Sequence, residues 1–134
     1  MDGFQIKLPI QLRYSDFDML EHLNSAQYST FLELGRLEYF NKLGWNLKEV
    51  SNVVASFTIN FVNQIIPSDQ VAVWIKVAQL GNKSFKMEYV LASEDSNIIY
   101  ANAETTQVCI LKIDNSSTPI PVNIKNMIAE FEKL

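Results

Sequence analysis

A single cysteine, Cys109, excludes an intramolecular disulfide. It lies in the apolar run Val108-Cys109-Ile110-Leu111, where a buried free thiol is expected rather than a nucleophile. Histidine is equally scarce: His22 stands alone and far from Cys109, so the donor set of a zinc site is missing. The chain has no excess of positive charge, with 11 Lys and Arg against 15 Asp and Glu and a net charge of -4. The basic residues are also scattered, which argues against nucleic acid or an anionic membrane as partner. Lys76, Lys83 and Lys86 come closest to a patch and are expected to lie on an ordinary solvated strand edge. No apolar stretch approaches the roughly 18 residues that cross a bilayer. Met1-Asp2-Gly3-Phe4-Gln5 has neither the basic nor the apolar part of a secretory leader. A soluble, cytoplasmic chain without membrane contact is therefore expected. No G-x-G-x-x-G, P-loop or G-x-S-x-G is present, which leaves nucleotide binding by those devices and a serine-triad elbow unsupported.

What the chain does have is clear patterning. With 134 residues, 48% of them apolar, it is long enough for one domain with a real core, spanning 1–134, and too short for two. Phe4, Ile6, Leu8, Ile10, Leu12 and Tyr14 alternate with polar residues, which predicts a strand with one wet face. Pro9 within it predicts an edge position. From Asn24 to Leu43 the period changes to that of a helix, with Tyr28, Phe31, Leu32, Gly35, Tyr39 and Phe40 on one face. Asn24 or Ser25 can cap its start and Gly44 can stop it. Gly35 on that face would let the helix approach a sheet closely. Alternation returns in Val53 to Phe61, Val71 to Val77, Phe85 to Leu91 and a long segment from Ile98 to Ile113, with turn residues between them. Ile124, Met127, Ile128 and Phe131 predict a short C-terminal helix. Short connections favour antiparallel pairing, and one helix can be covered only if the sheet curls around it. The expected fold class is α+β, a curved antiparallel sheet wrapped around one long helix.

The chemistry-bearing residues fall between the first strand and the long helix: Arg13-Tyr14-Ser15-Asp16-Phe17-Asp18-Met19-Leu20-Glu21-His22-Leu23-Asn24. So many polar groups at one junction are costly to bury unpaired, which favours a functional role. Backbone N–H groups in a helix's first turn lack intrahelical partners and suit a developing oxyanion. Asp18 beside them can attack a carbonyl or deprotonate a water, and either fits acyl transfer with no metal or cofactor. Asp16 and Asp18 share a face in extended chain, so one of them is a candidate structural carboxylate, with Arg13 as its counter-ion. His22 can act as base, hydrogen-bond donor or orienter of the loop.

The run Asp16-Phe17-Asp18, a short turn, then His22-Leu23-Asn24-Ser25 and Tyr28 resembles the signature of the hotdog-fold thioesterases of the 4-hydroxybenzoyl-CoA and acyl-carrier-protein type. The resemblance continues through Pro67-Ser68-Asp69-Gln70, Leu80-Gly81-Asn82-Lys83-Ser84 and Ala103-Glu104-Thr105-Thr106-Gln107 to Pro119-Ile120-Pro121. It implies a hotdog fold and hydrolysis of an acyl-CoA or acyl-ACP thioester. It also implies Asp18 as catalytic carboxylate, His22 as its helper, and amides near Asn24 and Ser25 at the carbonyl. Tyr28 and Phe57 are expected beside the acyl chain, and a homodimer or homotetramer with sites at the subunit interface is implied. Two positions depart from the pattern: Glu21 stands where many members have Gly, and Leu20 where the plant branch has Asn. Two other activities fit the same frame, a silent acyl-binding hotdog protein and an enoyl-thioester hydratase or dehydratase.

Overall fold

Ser25–Lys42 forms α1, and the residues it buries are the six of the predicted face: Tyr28, Phe31, Leu32, Gly35, Tyr39 and Phe40. Asn24 caps it by accepting from the Ala26 N–H at 3.1 Å, and Gly44, with φ +72°, turns the chain away beyond Leu43. This is seen in a computed structural model that describes residues 1–134. Around α1 lie β1 (Ile6–Ile10), β2 (Val50–Phe61), β3 (Val71–Leu80), β4 (Ser84–Ser93) and β5 (Ile99–Leu111), followed by α2 (Val122–Glu132). The strands form one antiparallel sheet in the order β1-β3-β4-β5-β2. The expected α+β architecture is therefore present.

The helix sits on β1 and β3 rather than over the middle of the sheet. At Gly35 an added Cβ would lie 3.2 Å from Val73 Cγ1 and 3.6 Å from Ile75 Cδ1, so only glycine lets the two backbones come this close without displacing a neighbour. Val71, Val73, Ile75 and Val77 of β3 and Phe85, Met87, Tyr89 and Leu91 of β4 fill the space below the helix. At the far end, Glu132 of α2 accepts from the Tyr39 hydroxyl and the Val77 N–H, each at 2.7 Å, and so joins both helices to β3. Burial, and then the Glu132 carboxylate, push the Tyr39 phenol well above its usual range. Ile124 and Ile128 of α2 are buried as expected, whereas Met127 is 40% exposed.

Several sequence expectations need correction. β1 is an edge strand, as Pro9 requires, but it ends at Ile10, and Tyr14 lies in a 3-10 turn (Tyr14–Asp16) almost wholly in solvent. Phe4 does not join Ile6 in the core. It packs on the outer face of the sheet against Ala72, Trp74 and Ala92. Lys76 and Lys86 stand on interior strands, not on an edge, and pair with Glu88 and Glu104 at 3.7 and 3.6 Å.

The alternation in β2 also breaks. Phe57 opposes Thr105 and Ile59 opposes Ala103, on the inner face, but the register shifts between Val54 and Ser56. The extra residue, Ala55, reverses the phase, so Val54 and Asn52 turn inward opposite Gln107 and Cys109, and Val53 turns out. Because α1 leans toward β1, the inner face of β2 has little above it, and Val54, Phe57 and Phe61 remain exposed. No helix is long and apolar enough to cross a membrane.

Cys109 is fully buried on β5, and desolvation pushes its thiol up to about 11. The native protein is therefore expected to show no reaction with a disulfide thiol reagent at mildly alkaline pH, and one equivalent in guanidinium. Rapid labelling of the folded protein would contradict this burial.

Candidate active site

Two aspartates two residues apart take opposite roles. Asp16 is fully buried, and its carboxylate accepts from the Arg13 N–H at 2.8 Å and the Arg13 guanidinium at 3.0 Å. Its carbonyl oxygen accepts from the Asn24 N–H at 2.9 Å, which ties the end of the first segment to the cap of α1. Asp16 is thus the structural carboxylate. Arg13 compensates the charge of this desolvated carboxylate, which would otherwise be costly to bury.

Asp18 is exposed and closes a tight turn on itself. Its Oδ1 accepts from the Leu20 N–H at 2.9 Å and the His22 N–H at 3.1 Å, while its own N–H donates to the His22 carbonyl at 2.9 Å. Both amides fall on one oxygen, so the carboxylate is oriented and Oδ2 is left without a protein partner. The turn needs a residue in the left-handed region, and Glu21 occupies it with φ +62°. That is the conformation glycine adopts most easily, so Glu21 keeps the turn at a local cost of about 1–2 kcal/mol. Leu23 donates to the Ile65 carbonyl at 3.0 Å, which ties this loop to the segment between β2 and β3.

Asp18, His22, Asn24, Ser25 and Tyr28 line one cleft of about 540 Å³, with Phe61 to Ile65 as its far wall. Tyr28 meets Phe61 edge to face, with ring centroids 4.8 Å apart. Within α1's first turn the free donor can be identified by elimination. The Asn24 N–H is taken by Asp16, the Ala26 N–H by the Asn24 side chain and the Gln27 N–H by the Asn24 carbonyl. The Ser25 N–H has no protein partner, at the positive end of the helix and on the wall of the cleft. His22 lines the cleft too, and the bonds that hold Asp18 come from its backbone.

Phe57, expected beside the acyl chain, does not line this cleft. It lies mid-strand, 40% exposed, about 13 Å along β2 from Phe61, which takes the position beside Tyr28. Sequence reasoning missed Phe61, Asn63 and Gln64. The available signal was the polar Asn63-Gln64 pair directly after an apolar strand, where loop residues gather at sites. Asn63 Nδ2 donates to the Ile99 carbonyl at 2.8 Å and so anchors this wall to β5. No group of three or more His, Cys, Asp or Glu side chains comes together that could hold a metal ion.

Comparison with known proteins shows what the chain is similar to. The family model described as the thioesterase-like superfamily matches residues 12–130. The long-chain acyl-CoA thioesterase FadM of Escherichia coli is 30% identical over 105 residues, covering 75% of this chain and 80% of that protein. An uncharacterized Bacillus subtilis protein, YsmA, is 28% identical over 83 residues, covering 60% of this chain but only 56% of its own length. A thioesterase from Thermus thermophilus, solved with coenzyme A and zinc, superimposes with a TM-score of 0.86 at 26% identity over 100% of this chain and 99% of its own.

Glu21→Gly is expected to hold or raise stability, whereas Glu21→Val, with a β-branched side chain at the same positive φ, should fall below it by about 1–2 kcal/mol. Urea unfolding of the two variants measures the difference. Equal midpoints would mean that the turn does not constrain this position.

Proposed function

Because the chain belongs to the thioesterase-like superfamily, with a hotdog fold, we propose that it hydrolyses acyl-CoA thioesters in the Asp18 cleft. One observation carries this reading. A carboxylate oxygen without a protein partner and a free helix-start N–H share a single cleft. The thioester carbonyl oxygen rests on the Ser25 N–H, which stabilises the negative charge that develops there. Asp18 Oδ2 then acts in one of two ways. As a nucleophile it attacks the carbonyl carbon, expels the thiolate of coenzyme A and leaves a mixed anhydride for water to cleave. As a general base it takes a proton from a water that attacks the same carbon. In both routes one water is consumed, and a free acid and a thiol leave.

His22 acts on Asp18 through its main chain, and in this reading its imidazole meets water or the leaving thiol. Tyr28 and Phe61 receive the first carbons of the acyl group. The carrier is coenzyme A, the group named for FadM and bound in the Thermus thioesterase. The active unit is a homodimer. β2 is a bare edge strand with Val53, Val54, Phe57 and Phe61 exposed, an edge that a second copy would cover. Phe57 then lies at the joint between the two copies, near substrate that crosses it.

Asp18→Asn is expected to lower kcat/KM for long-chain acyl-CoA by about two or more orders of magnitude with the unfolding midpoint little changed. His22→Ala, which keeps the main-chain bonds to Asp18, should lose much less. Near-normal turnover by Asp18→Asn would reject the assigned role. Sedimentation equilibrium should return twice the 15.3 kDa chain mass, and a monomer at working concentration would remove the dimer.

A further inference from the structure

The inner face of β2 runs from Phe61, on the wall of the Asp18 cleft, toward a second groove beside α1 whose lining is partly polar. Near the cleft this face is apolar, formed by Phe61, Ile59 and Phe57. Beyond the bulge lies the second groove, of about 280 Å³, whose walls include Arg36, Phe40, Asn52, Val54 and Gln107. Gln107 is only 1% exposed, and its Nε2 donates to Asn52 Oδ1 at 2.8 Å. Gln107 Oε1 and Asn52 Nδ2 are buried with no protein partner. Reversing both amides exchanges the atoms but still leaves one acceptor and one donor unpaired.

No neighbouring group fills the gap in the structure. The Tyr89 hydroxyl is already held by Thr105 Oγ1 at 2.5 Å and by Arg36 Nη1 at 3.3 Å. Buried polar groups are rarely left unpaired without a reason, and this pair asks for a single group that both donates and accepts. A hydroxyl does both. A methyl does neither, and a carboxylate cannot donate to Gln107 Oε1. Ser25 and Arg36 are eleven positions apart on α1, which is about 17 Å along the helix axis.

We propose that the Asn52–Gln107 end of this face is a subsite for a hydroxyl carried far from the thioester, so that the substrates are long-chain acyl thioesters oxygenated near the ω end. This rests on the thioesterase reading above and specifies its substrate class. The apolar part of the face takes the methylene chain, and the amide pair takes the hydroxyl.

The test compares lauroyl-, myristoyl- and palmitoyl-CoA with their ω-hydroxy counterparts. For at least one length the hydroxylated substrate should have a kcat/KM about tenfold higher, because an unhydroxylated chain leaves the amide pair unsatisfied. The double variant Asn52→Leu, Gln107→Met should bring that ratio to one or below. A ratio near one at all three lengths in the unaltered protein overturns the subsite and assigns the amide pair to resident water. Binding of the corresponding free acids, measured as shifts in Tm, separates this from the activity itself. If no thioester is hydrolysed but the ω-hydroxy acids stabilise more than the plain acids, and the variant loses the difference, the subsite stands and the thioesterase reading falls. Equal stabilisation by both kinds of acid, with or without turnover, overturns the subsite.

Discussion

The close approach of α1 to β3 at Gly35 sets the position of almost everything else. With Val73 Cγ1 only 3.2 Å from where a Cβ would stand, the helix is drawn toward the β1–β3 side of the sheet. Packing there is dense, and Glu132 closes it from α2. The consequence lies on the opposite side. Much of the inner face of β2 is left uncovered, and that face leads from the N-terminus of α1 to the amide pair at Asn52 and Gln107. A helix centred on the sheet would have covered that face.

The loop before α1 shows how one short segment separates anchoring from chemistry. Asp16 spends its carboxylate on Arg13 and its carbonyl on Asn24, so the cap of the helix is tied to the end of the preceding segment. Asp18 spends one oxygen on two backbone amides and keeps the other free. Asn24 consumes every early helix amide but that of Ser25. The free acceptor and the free donor are both what remains after the local hydrogen bonds have been satisfied. The site is therefore preorganised by backbone groups, which are harder to displace than side chains.

Much of this was legible beforehand. A helical period over twenty residues is a strong signal, because each face residue is confirmed by several others, and all six predicted α1 core positions are buried. The motif Asp16 to Tyr28 is local, so its residues meet in space whatever the rest of the chain does. Phe57 was less accessible to such reasoning. Alternation places Phe57 and Phe61 on one face but does not say which end of the strand meets the helix start. The bulge at Ala55 was not legible either, since a phase change of one residue in a run of Val, Ala and Ser leaves no compositional mark.

Sequence alone determined the order and type of the elements, the edge position of β1 through Pro9, the capping of α1 and the gathering of Asp18, His22 and Ser25 at one junction. Each follows from period, turn chemistry or residues adjacent in the chain. Tertiary structure alone decided that Asp16 is buried while Asp18 is open, that Phe61 rather than Phe57 stands beside Tyr28, and that Asn52 turns inward to meet Gln107. Those outcomes depend on strand register and on where the helix rests, and both are set by contacts between residues far apart in the chain.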